Sequence, residues 1–137
     1  MPDEIRRVDY FYVQVPNKAG EGARALGALR DAGVNLLAFS GFPAGRGAQM
    51  DFVPEDSAAF RQAAKNAKWK LTGPKKAFLI AGDDRPGVVA SVMQKLADAK
   101  INVTAIDAAC AGAGRYGAIL WVAPRDVARA AKVLGAS

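Results

Sequence analysis

Apolar positions along the chain change their spacing in a regular order. From Val8 to Val15 the residues Val-Asp-Tyr-Phe-Tyr-Val-Gln-Val are rich in β-branched and aromatic types and predict a strand, closed by Pro16 and Asn17. Between Gly20 and Ala32 the apolar residues Ala25, Leu26, Leu29 and Ala32 recur at helical spacing, which predicts a helix with one buried stripe. Gly33 is suited to a left-handed cap that ends it. Val34 to Ser40 supplies a second strand, and a turn through Pro43, Gly45 and Gly47 leads to a third around Gln49 to Val53. Pro54-Glu55-Asp56-Ser57 carries helix-start chemistry, Ala59, Phe60, Ala63, Ala64 and Ala67 form an inward stripe, and Trp69-Lys70-Leu71 alternates as a short fourth strand. The order is β-α-β-β-α-β.

The same order is then written again. Aligning Gly20 with Gly87 places Asn17 on Asp84, Leu29 on Leu96, Ala32 on Ala99, Asn35 on Asn102 and Leu36 on Val103, at a constant offset of 67. A strand near Ala77 to Ala81, a helix from Val88 to Ala99, a strand from Ile101 to Ala109, a strand from Tyr116 to Val122 and a helix after Pro124 retrace the first unit. The chain stops at Gly135-Ala136-Ser137, so the second unit is expected to lack its last strand. With Thr72-Gly73-Pro74 as the boundary, the units are 1–73 and 74–137. The fold class is α+β, with two antiparallel sheets and helices on one face of each. A missing edge strand leaves backbone groups unpaired on its neighbour. Either the segment Glu4 to Val15 or the same edge of a second copy is expected to cover them.

Candidate chemistry concentrates where each first helix begins. In Gly82-Asp83-Asp84-Arg85-Pro86-Gly87, proline suits the first helical position, and glycine removes the side chain that would keep another molecule from the free amides. The N–H groups of Gly87, Val88 and Val89, at the positive end of the helix dipole, suit a carboxylate. Asp84 would attract an ammonium group, and Asn102, followed by Val103, offers a donor and an acceptor. Such a set is complementary to a free amino acid. The plainer reading is a capped helix, with Asp84 capping and Asn102 at a turn. The corresponding set in the first unit is Asn17, Lys18, Ala19, Gly20 and Glu21, with Asn35 and Leu36; the uncharged Asn17 weakens any ammonium contact.

Asp84-Arg85-Pro86-Gly87-Val88 opening a helix and Ala99-Lys100-Ile101-Asn102-Val103 leading into the next strand resemble the ACT domain. Asn17-Lys18-Ala19-Gly20 and Ala32-Gly33-Val34-Asn35-Leu36 resemble it more weakly in the first unit. The ACT domain is a small regulatory module with a ferredoxin-like βαββαβ fold that senses amino acids in metabolic enzymes. The resemblance covers most of the chain; the departures are Ala19 in place of proline and the absent last strand. It implies a ligand between the first loop of one module and the second strand of an adjacent one, so that sites form when modules pair. A homodimer is therefore expected, acting through its own oligomeric state or on a metabolic enzyme or regulator in trans.

Composition narrows the function classes. The chain is 51% hydrophobic and 23% charged, as in a soluble globular protein. No apolar run approaches the roughly 18 residues of a membrane span, and Met1 to Arg7 has no apolar core like that of a signal peptide; a cytoplasmic protein is expected. There is no histidine, and Cys110, in a tract of small residues, is the single cysteine. No catalytic residues, metal site or cofactor are expected; Asp83, Asp84 and Asp107 are a poor set for a hard cation. The formal charge of +6 raises a nucleic-acid-binding ferredoxin-like sheet as the alternative to a non-catalytic amino-acid sensor. Lys65, Lys68, Lys70, Lys75 and Lys76 read as a solvated face, and Tyr116 to Trp121 lacks the aromatic and basic interleaving of an RNA-reading strand.

Overall fold

The computed structural model describes residues 3–137. Its elements are β1 (Glu4–Pro16), α1 (Glu21–Asp31), β2 (Leu36–Ala44), β3 (Gly47–Pro54), α2 (Ser57–Asn66), β4 (Thr72–Asp83), α3 (Val88–Asp98), β5 (Val103–Gly112), β6 (Arg115–Val122), a 3₁₀ turn at Pro124–Asp126 and α4 (Val127–Leu134). The chain divides into two compact units, residues 9–75 and residues 3–8 with 76–137. β1 and β4 each begin in one unit and end in the other. The strand order is β2-β3-β1-β4 within residues 9–75 and β1-β4-β6-β5 within the other unit. Pairing is antiparallel between β1 and β3, β2 and β3, β4 and β6, and β5 and β6.

In residues 9–75 the alternation of β1 turns Phe11 and Val13 toward the core, where they meet Met50 and Phe52 of β3 and the stripe Ala25 and Leu29 of α1. Phe60 of α2 closes the cluster, its ring 5.0 Å from Phe11 and 5.3 Å from Phe52. The other core joins Phe78 and Ile80 of β4, Val92 and Leu96 of α3, Leu120 of β6, and Ala130 and Leu134 of α4. Ile5, from the start of β1, is buried in that second core.

The offset of 67 survives into backbone detail. α1 and α3 are each 11 residues long and begin after left-handed glycines, Gly20 at φ +92° and Gly87 at φ +79°. β2 bulges against β3 between Leu36 and Ala38, and β5 bulges against β6 between Val103 and Ala105. Trp69 N–H donates to the Ala64 carbonyl at 3.0 Å, as Ala136 N–H does to Ala131 at 2.9 Å.

One expectation needs correction. Trp69-Lys70-Leu71 is not a strand: Lys68 takes φ +61° after α2, and the Trp69 amide stays bonded to the helix end. The Trp69 ring stacks on Phe52 at 5.6 Å, so its apolar signal belongs to the core under α2. Thr72-Gly73-Pro74 opens β4, whose residues 72–75 belong to the unit of residues 9–75. No strand follows α4, and the fourth position of the second sheet is filled by the first half of β1. Ser137 closes the outer side of that segment, its N–H donating to Ile5 and its carbonyl accepting from Arg7, both at 3.1 Å.

Candidate functional site

Both helix-opening loops are turns ending at a left-handed glycine. Glu21 N–H donates to the Lys18 carbonyl at 3.5 Å and Val88 N–H to the Arg85 carbonyl at 3.3 Å, so one of the three amides considered for a carboxylate already has a partner in its own loop. The Gly20 and Gly87 carbonyls accept from Arg24 at 2.9 Å and Ser91 at 3.0 Å, starting the helical ladders. A Cβ built on either glycine would meet nothing within 4 Å, so the space in front of both turns is open. Ala19, Arg85 and Pro86 are exposed, and Val89 is half-buried. Asp84 N–H donates to the Gly114 carbonyl at 2.8 Å, which ties the second loop to the β5–β6 hairpin.

In the first unit the loop borders a groove of about 290 Å³, between Asn17, Lys18, Glu21 and Gly22 on one side and Phe39, Phe42, Pro43 and Met50 on the other. Phe39 and Phe42 are 39% and 42% exposed, high for phenylalanine, and they make one wall apolar. Glu21 is buried at the first turn of α1, its carboxylate accepting from Arg24 Nη1 at 3.1 and 3.2 Å with Lys18 Nζ at 3.8 Å. A carboxylate there complements the helix dipole from within the chain. The sequence does not mark the residues of this wall: Phe39 falls within the strand expected over Val34 to Ser40, and Phe42 directly precedes the turn through Pro43. The repeat held a signal: the positions 67 residues later are Ile106 and Ala109, so the aromatics belong to one unit alone.

The two asparagines lie elsewhere. Asn35 and Asn102 follow the C-terminal ends of α1 and α3, a helix length of about 16 Å from the loops of their own units. Asn35 Nδ2 donates to Glu55 at 3.2 Å and its carbonyl accepts from Glu55 N–H at 3.0 Å, while Asn102 is exposed. Within one unit, therefore, Asn17, Lys18 and Glu21 come together, whereas Asn35 and Leu36 do not join them, nor do Asn102 and Val103 join Asp84 to Val89.

At the second loop, Cys110 on β5 donates its thiol to the Asp84 carboxylate, which pushes the thiol pKa up. Asp83 accepts from Arg115 Nη1 at 2.7 Å, and that bond holds its carboxyl below the usual range. Tyr116 is buried behind this loop, its phenol pushed up to about 12 by burial and by the neighbouring carboxylate of Asp3. Among the described residues no group of three or more His, Cys, Asp or Glu is placed to hold a metal, and no helix is long and apolar enough to cross a membrane.

Neither a protein-family model nor a curated protein matches the sequence. Solved structures do match. A protein of Bacteroides thetaiotaomicron superposes with a TM-score of 0.76 at 15% identity, covering 97% of this chain and 88% of that one. The ligand-free regulatory subunit of aspartate kinase from Thermus thermophilus gives 0.64 at 17% identity, with 98% and 95% covered. Aspartokinase III of E. coli, solved with aspartate and ADP, gives 0.53 at 14% identity over 96% of this chain and 32% of that one. At such identities the likeness is one of fold: this chain shares with these structures an arrangement of two units, each of antiparallel strands with two helices.

Proposed function

We propose that this chain is a non-catalytic regulatory protein that binds a free amino acid where the loops opening α1 and α3 face the strands of an adjacent module, in a homodimer. The observation that carries this reading is the groove beside Asn17, Lys18 and Glu21, with charges of both signs at its mouth and Phe39, Phe42 and Met50 along its wall. A zwitterion with an apolar side chain is complementary to both parts. At the second loop Asp84 would take the ammonium group, and the Gly87 and Val89 amides the carboxylate. Asn35 and Asn102 are a helix length from the loops of their own units, so they would contribute only across a pair of modules. The regulated partner is a metabolic enzyme or regulator in trans, in keeping with regulatory subunits among the structural neighbours.

A thermal-shift panel of the common amino acids tests the reading. A ligand at 100 times its dissociation constant adds about 2.7 kcal/mol of stability, and no shift with any amino acid in folded protein overturns it. Cys110 provides a local reporter: occupation of Asp84 frees the thiol from its acceptor, so alkylation at pH 8 is expected to speed up with ligand, as it should in Asp84→Asn without ligand. The nucleic-acid alternative is not favoured, since Tyr116 and Trp121, the aromatics of β6, are 5% and 8% exposed. A sheet that reads RNA presents such rings to solvent.

A further inference from the structure

The first turn of α1 has a second groove on its other flank, of about 340 Å³, where Gln14, Arg24, Lys68 and Lys70 surround the buried carboxylate of Glu21 and the edge of Trp69. Three cations stand there against one carboxylate, and that carboxylate is already neutralised by Arg24 at 3.1 Å and Lys18 at 3.8 Å. The duplicated fold supplies an internal control. The positions 67 residues on from Glu21, Arg24, Lys68, Trp69 and Lys70 are Val88, Ser91, Gly135, Ala136 and Ser137. The second unit repeats the helix start and the hydrogen bond after the last helix with none of these charges. The fold does not require them.

We propose that this groove binds a small polyanion, a phosphorylated or polycarboxylate metabolite with at least two negative charges and a flat or apolar portion that rests on Trp69. Lys68, Lys70 and the outward face of Arg24 receive the anionic groups. This groove shares Val15, Glu21 and Met50 with the one facing Phe39 and Phe42, but Arg24, Lys68, Trp69 and Lys70 line it alone, so anion binding is read from those residues independently of amino-acid binding.

The test uses the full ¹⁵N-labelled chain, whose two indole N–H resonances belong to Trp69 and Trp121. Inorganic pyrophosphate and citrate are titrated separately at constant ionic strength. Movement of the Trp69 resonance, saturating at submillimolar concentration while Trp121 stays still, is the expected result; the probe that produces it distinguishes phosphate from carboxylate chemistry. Lys68→Gly with Lys70→Ser copies residues that the second unit already uses at these places, so the local fold is retained, and affinity is expected to fall at least tenfold. Lys75→Ala with Lys76→Ala is expected to leave it unchanged. No saturable shift with either probe, or equal losses in both double variants, overturns the proposal.

Discussion

Asp51 sits on β3 at 7% exposure, and its neighbours offset only part of the cost of burying its charge. Burial raises its carboxyl pKa, while the Gln49 amide, donating at 2.8 Å, and the charge of Lys75 pull it down; the net direction is up. A folded-state pKa above the unfolded value contributes stability below that unfolded value and loses it as pH rises through the folded one. At neutral pH the ionised side chain is therefore a net cost. Asp51→Asn keeps an acceptor for Gln49 and removes the charge, so it is expected to stabilise the protein by about 1 kcal/mol at pH 7. Urea unfolding at pH 7 and pH 3 should show that gain disappear at the lower pH. Tyr116 follows the same sign at the other end of the scale. Its stabilisation is complete below pH 10 and declines as pH rises to about 12, with a limiting slope of about 1.4 kcal/mol per pH unit. Tyr116→Phe should flatten the alkaline decline in stability without abolishing it, because burial also raises Tyr10.

At the scale of elements, the sequence was most legible where one residue carried one signal. Gly20 and Gly87 marked both helix starts, and Ala25 with Leu29 marked the buried stripe of α1, because backbone conformation and helical period act locally. The constant offset exposed the duplication, and the structure extends it to bulges at equivalent places in β2 and β5, which no segment of the sequence marks. Trp69 was misread because a residue tethered to a helix end and one in a strand show the same short alternation. What separates them is the left-handed Lys68 before it and the phenylalanines beneath it. The candidate site was less legible for a similar reason. Residues adjacent in sequence, such as Asn17, Lys18 and Glu21, were found together, but the aromatic wall comes from β2 through strand pairing. Asn35 and Asn102 were grouped with the loops by their place in the repeat, yet an entire helix lies between them in space.

For the whole molecule, the consequential feature is that β1 serves two cores. Its first half buries Ile5 among Ile80, Leu120 and Leu134, and its second half buries Phe11 and Val13 beneath α1 and α2. The place beside β4 is taken by residues more than a hundred positions before α4. Each unit also contains one tryptophan, Trp69 packed against the core of residues 9–75 and Trp121 on β6 of the other unit, so the unfolding of each unit can be followed by its own ring. Ile5→Ala removes apolar volume from the second core alone and is expected to cost about 2–3 kcal/mol there. Val13→Ala does the equivalent in the first, at about 1–2 kcal/mol. Followed by the emission of each tryptophan, with the other replaced by phenylalanine, Ile5→Ala should lower the urea midpoint seen at Trp121 more than that seen at Trp69. Val13→Ala should reverse the order. Equal displacement of both midpoints by Ile5→Ala would mean that the first half of β1 does not belong to one core, and the division of this strand between the two units would have to be abandoned.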